Sequence, residues 1–307
     1  MHIPDGFLEP EVWIPLTAIS GMSLVSVSRK ISDGMDEEAI PLMGVMAAFV
    51  FAAQMINFPV GGGTSGHLMG GVLIAAIVGP YGGLIIMSTI LILQALLFQD
   101  GGITTLGANI FNMGIVGTLF GYLIFKGINW LTGNVRFSVF AASWFSVAAA
   151  SAVTAIELSL SGIIPMKVSL PAMIGVHSII GIGEGIITIS ALELVSKVKK
   201  ETILVDITDE NRIRKKSSWI WLAVSIAIAA ILSPFASKLP DGLERVAETF
   251  GFIGRKKLTL YSLFRDYQIS DIYGKVSTVI AGVMGVLIAF ALSYTVIKVL
   301  KGMRSKR

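Results

Sequence analysis

The chain has 307 residues, of which 54% are hydrophobic and only 14% are charged, and its mean hydropathy is +0.78. Soluble domains carry about 25% charged residues, so this composition, with a formal net charge of only +4, indicates a membrane protein and excludes a large soluble enzyme domain. The sequence contains no cysteine and three histidines, which excludes disulfides, thiolate metal sites and a cysteine nucleophile.

Apolar runs separated by short loops follow one another along the whole chain. Nine runs lie near residues 12–28, 40–57, 68–79, 81–98, 108–126, 137–158, 172–195, 218–236 and 276–299. The third and fourth are separated by Gly79-Pro80-Tyr81-Gly82-Gly83, where proline and glycine favour a turn; without that turn the count falls to eight. Because a hydrocarbon core is about 30 Å thick, the pattern predicts an all-α polytopic membrane protein with about nine transmembrane helices.

The charged residues predict which side of the membrane each end faces. No Lys or Arg precedes the first run, whereas Asp5, Glu9 and Glu11 do, which is the reverse of a signal peptide. Lys and Arg near span ends favour the cytoplasmic side, and an outside N-terminus puts 16 of the 24 basic residues there. We therefore expect a multi-pass protein of a prokaryotic plasma membrane, with its N-terminus outside and its C-terminus in the cytoplasm.

A charged stretch divides the chain into two parts. Residues 201–217 are rich in Lys, Arg, Asp and Glu, and we interpret them as a cytoplasmic linker. It joins a seven-span module, residues 1–200, to a two-span hairpin, residues 218–307. The outer loop of the hairpin begins close to Pro240-Asp241-Gly242-Leu243-Glu244.

The first residues, Met1-His2-Ile3-Pro4-Asp5-Gly6, offer a chelate that few sequences can form. With a histidine at position 2, the α-amine, the deprotonated amide nitrogen of His2 and its imidazole Nδ1 can bind one ion in fused five- and six-membered rings. Three planar nitrogens leave one equatorial position open, and a tetragonal all-nitrogen set suits Ni²⁺ or Cu²⁺. The natural fourth donor is His67.

His67 ends a glycine-rich segment, Pro59-Val60-Gly61-Gly62-Gly63-Thr64-Ser65-Gly66-His67, on the same predicted outer side as the N-terminus. Glycine permits turns and close approach that other residues resist. Taken singly, His2 could be a disordered terminal residue and His67 a turn residue. Their shared location in a chain with one other histidine favours a common metal site built from Met1, His2 and His67.

Several polar residues are candidates for supporting or coupling roles. Asp100 and Asn109 flank another glycine-rich outer loop and could orient an imidazole. His177 and Glu184 are seven residues apart, so they share one face of a helix and could satisfy each other or contact substrate, because ionisable groups inside spans are costly. The remaining candidates are Asp5 and Ser65. Glu157, a second intramembrane acid, is equally ambiguous.

Four segments together resemble one family of proteins. They are MHIPDGF, GGGTSGH, LLFQDGGITTLGANIFNMG and GVHSIIGIGEGIIT, all within about residues 1–200. These segments closely resemble NikM/CbiM, the nickel/cobalt substrate-binding components of energy-coupling-factor transporters, and the C-terminal hairpin resembles the small NikN/CbiN subunit. The resemblance implies a non-enzymatic capture subunit with ligands from Met1, His2 and His67, a lipid bilayer, a transmembrane coupling subunit and separate ATPases. The chain carries no G-x-x-x-x-G-K-[ST] loop.

Two other functions are weighed against metal capture. Gly63-Thr64-Ser65-Gly66 spells the GxSG of rhomboid proteases, with His177 in a later span, but His-x-x-x-Gly departs from the rhomboid pattern. A vitamin-binding component of the same transporter class would need a roomy pocket with aromatic walls, and the outer loops offer few aromatics. No organic cofactor and no nucleic-acid partner are expected. The intrinsic metal order favours nickel over cobalt, but the sequence does not choose between them.

Overall fold

The computed structural model describes residues 1–34, 39–198, 215–257, 262–269, 272 and 274–302. Most of the predicted linker 201–217 lies outside these residues. The α-helices of the described part are α1 (Pro10–Gly34), α2 (Ala39–Gln54), α3 (Gly71–Leu93), α4 (Leu106–Asn109), α5 (Gly121–Thr132), α6 (Val135–Leu160), α7 (Met166–Val198), α8 (Lys215–Ile231), α9 (Gly242–Thr249) and α10 (Lys275–Gly302).

The helices account for the predicted membrane spans. Six helical stretches are long and apolar enough to cross a membrane, namely Pro10–Ile31, Gly71–Phe98, Leu106–Thr132, Val135–Leu160, Met166–Leu194 and Lys275–Gly302. Two shorter apolar helices, Ala39–Gln54 and Trp219–Phe235, lie among them. The prediction of an all-α polytopic membrane protein is confirmed.

Helix α3 reverses direction at the predicted turn. Gly79 has non-helical angles, φ 80° and ψ 162°, immediately before Pro80. A Cβ on Gly83 would lie 3.4 Å from the backbone nitrogen of Ala75, although eight residues of continuous helix span about 12 Å. The two arms of α3 therefore run in opposite directions on either side of Gly79 and Pro80.

The first arm of α3 is short, so the chain before it enters the bundle without helical structure. A hairpin of β1 (Phe58–Val60) and β2 (Thr64–Gly66) turns at Gly61–Gly63, where Gly62 and Gly63 have positive φ. After the hairpin, Leu68, Met69 and Gly70 are buried. Non-helical backbone at membrane depth is tolerated where it is buried in protein, and this segment meets that condition.

Two π-helical segments interrupt the α-helical structure of residues 71–132. Gln94–Phe98 continues α3, and Ile110–Phe120 joins α4 to α5. A π-helical turn inserts an extra residue and often occurs at functional sites. The first segment begins at Gln94, whose side chain is fully buried.

Helix α10 packs against α2 and the residue that follows it through two glycines. A Cβ on Gly285 would overlap the Phe51 ring, and one on Gly282 would lie 2.6 Å from Met55 Cε. Small residues let membrane helices approach closely. Helix α10 is thus held against the end of α2 by close contact.

The predicted outer loop of the hairpin, which connects α8 and α10, lies over the N-terminal segment. Lys257 donates its backbone N–H to the carbonyl of Asp5 at 2.8 Å, and the rings of Phe7 and Phe252 meet with centroids 5.3 Å apart. Gly6 has φ 90° and lies directly against the carbonyl of Arg255. The N-terminus is consequently enclosed between the helical module and this loop.

Candidate metal centre

The N-terminal segment is fixed in the bundle through the backbone of Ile3. Ile3 N–H donates to Asn109 Oδ1 at 2.8 Å, and Asn109 Nδ2 donates back to Ile3 O at 3.0 Å. Gly102 N–H and Thr105 Oγ1 donate to the same carbonyl. The expectation that Asn109 orients an imidazole is wrong, because its amide matches the paired donor and acceptor of the Ile3 backbone.

Asp5 fixes the loop that follows α3. Its carboxylate accepts hydrogen bonds from the backbone N–H groups of Ile103 and Thr104, at 3.1 and 2.8 Å. A carboxylate that binds successive backbone N–H groups holds a turn in one conformation. Asp5 therefore supports the wall of the centre and does not point into it.

The amine of Met1 lies beside the imidazole of His67. The two nitrogens, Met1 N and His67 Nε2, are 2.9 Å apart, and His67 Nδ1 is 3.0 Å from the Leu68 carbonyl. A carbonyl only accepts, so Nδ1 carries the proton and Nε2 presents its lone pair to the terminal ammonium. Metal–nitrogen bonds of about 2.0 Å place adjacent ligands of a square-planar ion about 2.8 Å apart, which the observed separation matches.

A chain of hydrogen bonds sets the tautomer of His2. Gln54 Nε2 donates to the Met69 carbonyl at 2.8 Å, Gln94 Nε2 donates to Gln54 Oε1 at 2.9 Å, and Gln94 Oε1 faces His2 Nε2 at 3.1 Å. The carbonyl at the end of the chain only accepts, so each donor is fixed in turn and His2 is protonated at Nε2. Its Nδ1, the atom that the six-membered chelate ring requires, keeps a free lone pair.

His2 Nδ1 also faces Asp100. The distance from Nδ1 to Asp100 Oδ1 is 3.1 Å, but Nδ1 has no hydrogen-bond partner among the described residues. Asp100 Oδ2 accepts from the Tyr267 hydroxyl at 2.7 Å. Two acceptors face each other with no proton between them, which is an arrangement that a cation stabilises. Asp100 therefore lies beside an imidazole, as the sequence suggests.

The two imidazoles are adjacent and uncharged. The rings of His2 and His67 stack with centroids 5.1 Å apart and an interplanar angle of 25°. Burial, and then the positive charge of the terminal amine, lowers the pKa of each ring to about 3. Neutral imidazole is the form that binds metals, so both rings are in their ligating state at neutral pH.

Asp241, from the outer loop of the hairpin, is a site residue that our reading of the sequence missed. Its Oδ2 is 3.2 Å from the Met1 amine, and 16% of its side chain is exposed. Burial raises the pKa of Asp241, but the terminal ammonium and the hydrogen bond from Glu244 N outweigh burial and bring it below its usual range. The carboxylate is thus ionised. No spacing in the sequence relates Asp241 to Met1.

Glu184 holds the segment that carries His67. Its two carboxylate oxygens accept from the backbone N–H groups of Met69 and Gly70, at 2.6 and 2.9 Å. These groups lie at the N-terminus of α3, where unpaired donors and the helix dipole favour a negative charge. Glu184 acts on this turn, and it is not a partner of His177.

His177 and Ser65 have separate surroundings. His177 Nδ1 is 2.8 Å from the Met173 carbonyl, whereas its Nε2 is buried with no hydrogen-bond partner in the described chain. Its ring lies against Gly242, where a Cβ would come within 2.8 Å. Ser65 Oγ donates to the Leu239 carbonyl at 2.7 Å. The serine–histidine hydrogen bond of a protease is not formed.

Two family descriptions match the chain, one after the other. The model of a cobalt uptake substrate-specific transmembrane region, CbiM, matches residues 2–202, and the PDGLE domain matches residues 215–302. The first match alone covers more than half of the 307 residues.

Relatives and solved structures agree with this match. A chain from Archaeoglobus fulgidus, named as a fused nickel transport protein NikMN, is 32% identical over 96% of this chain and 97% of its own length. The cobalt transport protein CbiM of Acetoanaerobium sticklandii is 34% identical over 66% of this chain and 86% of its own. The crystal structure of a truncated transition metal transporter has a TM-score of 0.60 and 33% identity, covering 64% of this chain and 99% of that one.

Proposed function

Because the chain belongs to the CbiM family of cobalt uptake substrate-specific transmembrane regions and continues into a PDGLE domain, we propose that it captures Ni²⁺ or Co²⁺ outside the cell for uptake. The observation that carries the proposal is the 2.9 Å approach of the Met1 amine to His67 Nε2. Two nitrogens from distant parts of the chain meet there at the spacing of adjacent metal ligands.

The ion would be held by four nitrogens. These are the Met1 amine, the amide nitrogen of His2, His2 Nδ1 and His67 Nε2. The unprotonated state of both ligating ring nitrogens, set by the hydrogen bonds to Gln94 and Leu68, supports this set. Such outer hydrogen bonds fix the tautomer and orientation of metal-binding histidines.

The donor set favours nickel over cobalt. Four nitrogen donors in a plane suit Ni²⁺, and the intrinsic affinity order Co²⁺ < Ni²⁺ points the same way. The relative from Archaeoglobus fulgidus is named as a nickel transport protein, and the relative from Acetoanaerobium sticklandii is named as a cobalt transport protein. The ion is the transported substrate in this proposal, and no organic cofactor takes part.

Transport would require further subunits. The chain has no phosphate-binding G-x-x-x-x-G-K-[ST] loop, so ATP hydrolysis falls to separate ATPases, reached through a transmembrane coupling subunit as in energy-coupling-factor transporters. In this assembly residues 1–200 form the binding module, and the hairpin, residues 218–307, assists it. The protein would lie in the plasma membrane with its N-terminus outside, consistent with its basic residues.

Metal titration of the untagged protein tests the function. We expect Ni²⁺ bound at one ion per chain, measured by elemental analysis and by competition with a chelator. His67→Ala should lower the Ni²⁺ affinity more than about 100-fold, beyond the cost of losing an outer hydrogen-bond partner, while the helical content stays unchanged.

Chemical blocking of the amine is the matched second arm. Acetylation of Met1 removes one donor and should abolish tight binding, whereas the same protein with a tag at the C-terminus should bind as the untagged protein does. Undiminished Ni²⁺ affinity in folded His67→Ala or acetylated protein would overturn the proposed donor set.

A further inference from the structure

The outer loop of the hairpin contains the segment Pro240-Asp241-Gly242-Leu243-Glu244, which packs beside the metal centre. The Pro240 carbonyl accepts from Ser65 N–H at 2.9 Å, and Gly242 lies against His177. Leu243 is fully buried. Between these anchors, Asp241 Oδ2 lies 3.2 Å from the Met1 amine. The motif is therefore fixed to the seven-span part on both sides of Asp241.

The position of Asp241 is set by its own helix. Asp241 is the N-cap of α9, and its Oδ1 accepts from Glu244 N–H at 2.7 Å. Asp241 N–H donates in turn to Glu244 Oε2 at 3.4 Å, and Glu244 Oε1 pairs with Lys256 Nζ at 2.9 Å. With Oδ1 engaged in the cap, Oδ2 is the oxygen that remains for the amine. A capping box of this kind holds the side chain in one orientation.

We propose that Asp241 is a positioning residue for the amine ligand, supplied to the metal centre by the hairpin. It acts through Met1 and does not bind the ion. This inference rests on the proposed function. A metal-bound amine keeps two N–H groups, and one of them can still donate to Oδ2, so the same contact orients the nitrogen before and after the ion enters.

The charge of the centre supports this role. A Ni²⁺ ion whose ligands include one anionic amide nitrogen forms a group with a single positive charge, because the amine and both imidazoles are neutral. The centre is buried, with His2 6% and Met1 7% exposed, and a buried charge is costly unless it is paired. Asp241 and Asp100 are the carboxylates at contact distance of the proposed ligands in the described structure. Asp241 lies beside the Met1 amine, and Asp100 lies beside the His2 imidazole.

The test removes the charge of Asp241 and keeps its cap. Asparagine caps helices as well as aspartate does, so Asp241→Asn preserves α9 while neutralising Oδ2. We expect the Ni²⁺ affinity of the full-length variant to fall about 10- to 100-fold, the usual effect of losing an outer partner of a metal ligand. Glu248→Gln is the matched control, since it removes one carboxylate charge from the same helix α9 at a side chain that is 46% exposed, and it should bind Ni²⁺ as the unmodified protein does.

A second measurement separates positioning of the amine from a general effect on folding. In the metal-free protein, an amine-directed acylating reagent should modify Met1 several-fold faster in Asp241→Asn than in Glu248→Gln, as measured by mass spectrometry. The exposed Lys167 at the start of α7 is the internal reference. The visible absorption bands of bound Ni²⁺ should be the same in Asp241→Asn and the unmodified protein, because all four nitrogens remain.

Each contrary result has a distinct meaning. If Asp241→Asn keeps its Ni²⁺ affinity or its slow acylation while His67→Ala loses the ion, Asp241 does not position the amine and this inference fails alone. If the absorption bands move in Asp241→Asn, Asp241 is a ligand and the inference also fails. If His67→Ala keeps its affinity, the proposed donor set fails instead.

Discussion

At the scale of single residues, the proposed donors follow from the sequence, whereas the side chains that surround them do not. Any chain with histidine at position 2 carries the terminal amine and the histidine amide side by side, so coordination chemistry alone suggests these two donors. His67 followed because the sequence has three histidines. Gln94, Tyr267 and Asp241 were not predicted, because each reaches the centre through a tertiary contact that no spacing records.

The protonation state of the imidazoles predicts how binding depends on pH. Burial lowers the pKa of His2 and His67 to about 3, so both rings are neutral above about pH 4 and the ion displaces no proton from them. Coordination of the amine and of the His2 amide nitrogen each requires the loss of one proton. Between pH 5 and 6.5 the logarithm of Ni²⁺ affinity should therefore rise with a slope of about 2.

Chelator competition at several pH values measures this slope. Rings with an ordinary pKa near 6.5 would add their own protons and bring the slope toward about 4 at the acidic end. A slope near 4 would mean that the imidazoles are exposed to water before the ion binds, in contradiction to the enclosed centre described above.

At the scale of elements, the turn at Gly79–Pro80 was predictable, whereas its function was not. Proline and glycine at that point gave the turn, and the positive φ of Gly79 confirms it. The consequence is that the first arm of α3 begins at Gly71, in the interior, just after His67. Its first N–H groups need a partner there, and Glu184 on α7 is that partner.

Glu184→Gln should loosen the segment that carries His67. The glutamine carbonyl can accept a hydrogen bond from the N–H group of either Met69 or Gly70. The glutamine NH₂ group then faces the second backbone N–H, which is left buried and unpaired at a cost of about 1–3 kcal/mol. We expect Ni²⁺ affinity to fall about 10-fold and the temperature of unfolding to decrease. Chelator competition and a thermal melt measure the two effects.

Glu193→Gln provides the control on the same helix. Glu193 pairs with Arg136 near the other end of α7 and is 40% exposed, and exposed ion pairs contribute little to stability. Its Ni²⁺ affinity should equal that of the unmodified protein. If Glu184→Gln also binds Ni²⁺ with unmodified affinity, the carboxylate stabilises α3 without positioning His67.

At the scale of the whole molecule, the sequence indicated two parts and did not indicate how they meet. Hydropathy gave a seven-span module and a two-span hairpin, because both follow from local composition. The docking of the outer loop on the N-terminal segment depends on the Asp5 carbonyl and the Phe7 ring meeting Lys257 and Phe252. Contacts between segments some 250 residues apart leave no local pattern. The ion pair between Asp241 and Met1 shows that the hairpin reaches the candidate metal centre.

Removal of the hairpin should therefore weaken metal binding without abolishing it. A chain ending before α8 keeps the amine, His2 and His67, so it should still bind Ni²⁺. It loses Asp241 and also the loop that covers the N-terminus, where Gly6 and Phe7 meet Arg255 and Phe252. We expect equilibrium affinity to fall about as far as in Asp241→Asn, roughly 10- to 100-fold. Dissociation should be faster than in that variant, because the ion is open to water.

Co-expression of the two parts as separate chains is the control for folding. Helices α8 and α10 both contact α2, α10 through the close approach of Gly285 to Phe51, so the separate hairpin should associate with the module and restore slow dissociation. Stopped-flow measurement of Ni²⁺ transfer to a chromogenic chelator gives the rates for the intact, shortened and reassembled proteins. If the shortened, folded module releases Ni²⁺ no faster than the intact chain, the outer loop does not enclose the ion, and the contacts over the N-terminus serve only to hold the hairpin in place.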